Sequence, residues 1–279
     1  LHDALPISDT PDVTGATTDE DTFTDSGLVI TPNAADGPEV THFKITEIAG
    51  GDLFQNNGVD AITGGDFITL AEGAVGLRFS PAPDSNAPGS FKVQASLADN
   101  DTGLGGGLAT ATITVNPVND TPLLETSGAY TLTAINEDNT TSPGDLISAL
   151  LTSDASLPDI ITDVDNDPEG IAVTNVDDTN GSWQFSIDNG SNWQDFPVDI
   201  NGDSTVTPTT AVLLGENDVV RFVPAANFTD TVDPALSFRA WDQSTGSRGD
   251  TGADATDASS TSAFSAGEAT ASIVVRPVK

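Results

Sequence analysis

Residues 108–119 read LATATITVNPVN, and residues 268–279 read EATASIVVRPVK. The two segments are one pattern met twice, 160 positions apart. In the first, Thr110, Thr112 and Thr114 alternate with Ala111, Ile113 and Val115, the period of two that marks a half-buried strand. Further upstream, Arg78-Phe79-Ser80-Pro81 matches Arg221-Phe222-Val223-Pro224 at an offset of 143, and Asp99 is paired with Asp242 at the same offset. Near the start of each copy, Glu20-Asp21 matches Glu137-Asp138 at an offset of 117. The growing offsets mean that the second copy carries 26 extra residues early and 17 extra late. The boundary falls in Pro117-Val118-Asn119-Asp120-Thr121-Pro122, where the prolines limit φ and block helix.

Both copies read as strands. Leu236, Phe238 and Ala240 alternate with Ser237, Arg239 and Trp241. Other β runs are expected at 27–31, 41–48, 67–70, 76–80, 91–97, 129–135, 171–176, 182–187, 211–214, 219–223 and 270–276. Gly, Asn, Asp and Pro clusters separate them. About seven strands per copy at short spacing predict an all-β fold of two tandem Greek-key β-sandwiches, over 10–118 and 119–279. Residues 1–8, LHDALPIS, match nothing in the second copy, and 1–9 read as a tail extraneous to the fold. The second sandwich carries its insertions at about 139–160 and 243–267. The later one is mostly small and polar, and is expected to be a long solvated loop. No amphipathic helix is expected, beyond one or two turns at 145–152.

The chain has 279 residues, enough for two domains. It has 43 acidic residues against 8 basic ones, a formal net charge of −35. Such a chain repels nucleic-acid phosphates and anionic membrane surfaces alike. Cys is absent, so there is neither a disulfide framework nor thiol chemistry. No apolar run approaches the ~18 residues of a membrane span. Met is absent too, which predicts an interior piece of a longer protein.

The acid is clustered. The second copy holds Asn119-Asp120, Glu137-Asp138, Asp163-Val164-Asp165-Asn166-Asp167 and Asp242, and the first holds Glu20-Asp21, Asp36 and Asp99-Asn100-Asp101. Each cluster lies at a strand end or in a loop, and a sandwich gathers its loops at its two ends. Converged carboxylates repel unless a cation joins them, and Ca²⁺ takes 6–8 oxygen ligands of this kind. A single surface Asp is explained by solubility alone. Paired clusters at matched offsets are not, because scattered surface charge has no reason to keep register with an Arg-Phe-x-Pro strand.

The ending ATITVNPVNDTP, the Ile135-Asn136-Glu137-Asp138 start, and the Thr162-Asp163-Val164-Asp165 loop resemble the cadherin-like tandem repeats of large bacterial RTX-type surface adhesins. The stretches GSWQFSIDNGSNWQDF (181–196), AVLL (211–214) and VVRFVPAANFTDTVDPALSFRAWDQSTG (219–246) are similar to the same group. The resemblance covers nearly all of 10–279 and implies calcium between successive domains, stiffening a rod. It places Asn119 and Asp120 as linker ligands, with Glu137, Asp163, Asp165 and Asp242 completing their site. It also makes Glu20, Asp21, Asp36, Asp99 and Asp138 candidate calcium ligands. The first copy departs from the pattern, with Ala34 where the first Asp of Asp-x-Asp is expected.

Three motifs tempt otherwise. Ser186-x-Asp188-x-Gly190-x-x-Trp193 fits an Asp-box, a hairpin stabiliser that is not catalytic. Arg248-Gly249-Asp250 is an exposed-looking RGD tripeptide of a kind frequent by chance. Gly103-Leu104-Gly105-Gly106-Gly107 lacks the Lys-Ser/Thr of a phosphate loop and reads as a hairpin connection. With His2 and His42 alone, no Cys and no Gly-x-Ser-x-Gly elbow, triad and zinc chemistry lack their residues.

The expected role is therefore non-catalytic: calcium-stabilised extender or adhesion repeats, secreted or on a bacterial cell surface. Their partners are neighbouring repeats of the same chain, with host-cell or biofilm ligands reached through other domains. Nucleic acid and direct membrane insertion are excluded. The rivals are a sugar- or peptide-binding module using Trp193, Trp241 or the late loop, and an accessory part of a carbohydrate-active enzyme. Thermal melts separate coordination from salt adaptation. Chelator should lower the melting temperature, Mg²⁺ should restore it poorly, and ~1 M NaCl, which shortens the Debye length to ~3 Å, should not replace millimolar calcium.

Overall fold

The computed structural model describes residues 8–157, 160–199 and 201–278. The chain divides into two compact units, Leu1–Val118 and Asn119–Lys279. Residues 1–7 of the expected tail, and residues 158–159 of the early insertion, lie outside the described residues.

Among the described residues, the first unit has a five-stranded sheet ordered Ala16–Asp19, Ala109–Asn116, Gly89–Ser96, His42–Ala49, Phe67–Thr69. The outer strand Ala16–Asp19 runs parallel to the last strand, with Ile113 opposite Ala16. A three-stranded sheet, Ala61–Ile62, Gly51–Phe54, Arg78–Pro81, faces it. Alternation does the work: in Gly89–Ser96, Phe91, Val93 and Ala95 are buried while Lys92 and Gln94 are not. Those residues meet Phe43, Ile45, Leu53, Phe79, Ala111 and Ile113 in one core.

The second unit repeats the plan at larger scale. One sheet orders Tyr130–Thr131, Ala269–Arg276, Thr231–Trp241, Gly170–Val176, Ala211–Gly215 and Thr251–Ala253, and Ile135–Asn136 also pairs with Ala269–Arg276. The other orders Asp145–Leu146, Val219–Pro224, Gly181–Ser186 and Gln194–Asp195. Trp183 and Phe222 lie 5.0 Å apart between ring centroids in its core. The Arg-Phe-x-Pro repeat has one structural meaning in both units. Gly51 opposes Pro81 and Gly181 opposes Pro224. A Cβ on Gly51 would meet the Phe79 ring at 2.7 Å, and one on Gly181 the Phe222 ring at 2.4 Å. Glycine is what lets the ring lie against its partner strand. The Arg beside it stacks on an aromatic ring: Arg78 over Phe23 at 5.7 Å, Arg221 over Trp193 at 3.8 Å.

Several expectations are corrected. A helix outside the expected 145–152, Leu70–Val75, lies between the strands Phe67–Thr69 and Arg78–Pro81, nucleated by a capping box between Thr69 and Glu72. Residues 145–152 hold a strand pair at Asp145–Leu146 followed by the short helix Ile147–Leu151, whose Ile147, Leu150 and Leu151 are buried. The early insertion is therefore partly core. Nor are all of residues 1–9 a detached tail: Ser8 is buried, and the Asp9 N–H donates to Asp36 Oδ1 at 2.8 Å.

The late insertion is largely exposed, as expected, but it is anchored to the sandwich at defined points. Thr251–Ala253 adds a strand beside Ala211–Gly215, and Ala255, Ala263 and Phe264 pack with Leu213 around Trp241, which is 1% exposed. Small residues build no core alone, but they fit closely round one large ring. The RGD turn is enlisted in the same attachment. The Gly249 N–H donates to Leu213 O at 2.8 Å, and Arg248 makes an ion pair with Asp218, donating from Nε to its Oδ2 at 3.0 Å and from Nη2 to its Oδ1. Asp218 is fully buried while Arg248 is 44% exposed.

The Asp-box motif closes the hairpin of Gly181–Ser186 with Gln194–Asp195. Asp188 accepts from the Asn192 side chain at 2.6 Å, from the Asn192 N–H at 2.8 Å and from Ser186 Oγ at 2.7 Å. These donors hold its carboxyl down to about 2.

Removing Arg248 leaves the Asp218 carboxylate buried without its counter-ion. Arg248→Ala should cost the second unit roughly 2–3 kcal/mol in denaturant melts, less than the ~3–5 kcal/mol of a fully buried broken pair because solvent reaches the arginine. Asp250→Ala, which loses only the turn bond to the Ser247 N–H, should cost less than ~1 kcal/mol.

Candidate metal centre

The leading end of the second unit is built from three segments. Asn119–Thr121 enters across it, the loop Asp163–Asp167 follows the strand Ile161–Thr162, and Asp242 follows the strand Thr231–Trp241. Asp242 is 2% exposed; its Oδ1 accepts the Ser244 N–H at 2.7 Å and its Oδ2 the Asn119 amide at 2.9 Å. The Asp120 N–H donates to Asp165 Oδ2 at 2.7 Å. Asp163 folds its own loop: Oδ1 accepts the Asp165 N–H at 2.9 Å, and Oδ2 is left buried with no hydrogen bond. The late insertion walls the entry. The Thr121 hydroxyl donates to Ser259 O at 2.6 Å and accepts the Ser262 N–H at 3.0 Å.

Charge at this end is uncompensated. Burial, then the fields of Asp242, Asp165 and Asp167, push the Asp163 carboxyl above its usual range against the opposing Asp165 N–H bond. Burial pushes Asp167 up as well, and Asp242 and Asp165 add to it. Four carboxylates thus lie within one another's field beside the amide of Asn119. The donors are all oxygens, which suits a hard cation such as Ca²⁺ rather than zinc or copper.

Glu137 and Asp138 do not belong to this group. Glu137 Oε1 accepts the Val278 N–H at 2.7 Å, and Asp138 Oδ1 accepts the Asn227 N–H at 3.0 Å. The strand Ala269–Arg276 starts opposite Phe238 and ends beside Asn136. Seven steps of ~3.3 Å put the two ends of that strand ~23 Å apart, so Glu137 sits at the trailing end of the unit. The first unit has the same clasp: Glu20 Oε1 accepts the Val118 N–H at 2.7 Å, and Asp21 Oδ1 the Asp84 N–H at 3.1 Å. In both units the Glu-Asp pair ties the last strand and the loop after Arg-Phe-x-Pro to the first strand. Asp21 and Asp138 share a left-handed φ, +56° and +59°.

The leading end of the first unit differs from the sequence alignment. Leu97 donates its N–H to Gly103 O, and Gly105 donates to Ala95 O, as Asp242 donates to Ala263 O and Ser265 to Ala240 O. Leu97, not Asp99, is therefore the counterpart of Asp242, and Asp99 is exposed two residues on. Asn33 Oδ1 accepts the Ala35 N–H at 3.0 Å, as Asp163 accepts that of Asp165. The counterpart of Asp163 is thus Asn33 and not Ala34. The Asp9 N–H on Asp36 mirrors the Asp120 N–H on Asp165. A recurrence in the sequence announces this: Asp9-Thr10-Pro11 repeats as Asp120-Thr121-Pro122 at an offset of 111. Asp167 is a site residue that the Asp-x-Asp pattern alone passes over.

Solved cadherin structures resemble the whole chain. Mouse cadherin-23 EC22–24 matches over 96% of this chain and 63% of its own length, at 14% identity and a TM-score of 0.44. Human mucin-like protocadherin EC1–2 matches over 96% and 98%, at 10% identity and 0.45. Protocadherin gamma B2 domains 1–5 match over 99% of this chain and 42% of that one, at 12% identity and 0.47. The chain is similar to cadherin ectodomains. No family model matches it, and no curated protein matches it by sequence.

Asp163→Asn keeps the Oδ1 acceptor that Asn33 supplies in the first unit and removes one charge from the cluster. In chelator the variant should melt at a higher temperature than the wild type. In calcium it should lose the ion's increment, about 2.7 kcal/mol per site at 100-fold Kd, read as converging melting curves.

Proposed function

We propose that the chain is a pair of calcium-stabilised extender repeats from a large bacterial surface adhesin, with a mechanical rather than catalytic task. The observation that supports this most directly is the buried, unbonded Asp163 Oδ2 facing the fields of Asp165, Asp167 and Asp242. Folding leaves that charge unpaired, and a divalent cation is the partner its chemistry accepts. Asp163, Asp165, Asp167 and Asp242 would hold the ion, with Asn119 and Asp120 offering further oxygens. The ion supplies positive charge that cancels their repulsion. The chain's own residues tie the entering segment to the sandwich, through Asp165 on the Asp120 N–H and Asp242 on the Asn119 amide.

An extracellular setting fits ~10⁻⁴–10⁻³ M affinities, which only millimolar calcium satisfies. Among the described residues no helix is long and apolar enough to cross a membrane. The rival binding module loses one of its supports, because Trp241 is buried. Trp193 lies under Arg221. Partners are expected to be further repeats of the same chain.

Force spectroscopy on the full chain tests the role. Calcium should raise the unfolding force of the second unit over that in chelator. Equal forces in both buffers would refute a calcium-stiffened spacer, and retention on a glycan or peptide array would favour the rival.

A further inference from the structure

We propose that the two units differ in kind at their leading ends: that of the first unit is built to hold its entering segment without calcium. This rests on reading the second unit's leading end as a calcium site.

The equivalences set by backbone hydrogen bonds make the comparison residue by residue. Asp242 corresponds to Leu97, because each donates its N–H to the returning chain of its own unit, Asp242 to Ala263 O and Leu97 to Gly103 O. Asp163 corresponds to Asn33, because each accepts the N–H two residues on, and each carbonyl accepts the N–H of the residue after that. By the bond to the entering segment Asp165 corresponds to Asp36, one residue further on than counting from Asn33 gives, and Asp167, counted from Asp163, falls on Gly37. Asn119, one residue before the Asp-Thr-Pro repeat, falls on Ser8. Three of the four carboxylates of the cluster are replaced, by an amide, a hydrogen and an isobutyl chain, and the fourth is kept as Asp36. Three losses remove five of the eight oxygens that four carboxylates offer, since Asn33 keeps one, leaving too few for a six- to eight-oxygen calcium shell from this cluster.

Other interactions take over their structural tasks. Asp36 turns Oδ1 to the Asp9 N–H at 2.8 Å, so this carboxylate does for the entering segment what Asp165 does in the second unit. Ser8 is buried, with its hydroxyl on Ala95 O at 3.4 Å. A Cβ on Gly105 would lie 2.4 Å from Ser8 Oγ, so glycine there admits the serine. Leu97 packs against the core where Asp242 would need a partner for its charge. Gly107 closes over Thr10, donating its N–H to the hydroxyl at 2.9 Å, as Ser262 does over Thr121. The latch is retained, and Asp36 Oδ2 is buried without a hydrogen bond as Asp163 Oδ2 is, but it is one carboxylate where the second unit gathers four.

Calcium binding to the full chain, by equilibrium dialysis and by calorimetry, tests this with three variants. Asp36→Ala should leave the number of bound ions and the calcium-induced melting shift unchanged, while Asp163→Asn with Asp165→Asn should lower both. The triple variant N33D/A35D/G37D, which keeps Leu97 in the core, should bind at least one ion more than the wild type. A loss of bound calcium in a folded Asp36→Ala chain would overturn the proposal, as would a folded triple variant with no gain. Should the wild type bind no calcium at all, the reading of the second unit fails; the proposal then stands or falls on whether the triple variant acquires binding that the wild type lacks.

Discussion

A chain that enters a β-sandwich from outside brings backbone N–H groups that no sheet partner satisfies, and in this protein a carboxylate meets them. Asp165 takes the Asp120 N–H in the second unit, and Asp36 takes the Asp9 N–H in the first. At the far ends Glu20 and Glu137 do the same for Val118 and Val278, each just after a proline that can donate nothing. Much of the repeated acid is thus explained before any ion is invoked. An acceptor with two oxygens and a full charge is the strongest partner a lone N–H can find.

The second unit goes further than this need requires. Asp163, Asp167 and Asp242 join Asp165 where burial and mutual repulsion both disfavour the charged forms. Self-repulsion of that kind is a standing cost to the folded state. It becomes a gain only when a cation is present, and this makes such an end responsive to its surroundings. Packing reinforces the arrangement. The late insertion wraps Trp241, whose strand leads directly into Asp242, and its Ser259 and Ser262 backbone groups grip Thr121. The buried Asp218–Arg248 pair anchors the other part of the same insertion. An ordered flap and an acidic end are therefore parts of one construction.

The sandwich itself was legible from the chain. Alternation in 109–116 and 269–276, the recurring Arg-Phe-x-Pro and the repeat offsets all encode period-two strands, and such patterns are properties of the sequence itself. The helix Leu70–Val75 escaped because six residues carry too little periodicity, although Thr69 and Glu72 spell its cap. Residues 243–267 misled because composition reports what a segment can bury alone. Ala255, Ala263 and Phe264 bury nothing until Trp241 is beside them.

The candidate site divides along the same line. The presence of acidic clusters, their loop positions and the Asp-Thr-Pro recurrence are facts of sequence. Which carboxylates meet is not, since that depends on where strands of different length end. Glu137 and Asp163 are 26 residues apart in the chain yet belong to opposite ends of one unit, because the strand Ala269–Arg276 runs the length between them. Asp99 and Asp242 align by letter, but strand register sets Leu97 in the matching place. One sequence offset cannot express a two-residue difference in where a turn begins, whereas backbone hydrogen bonds record it directly.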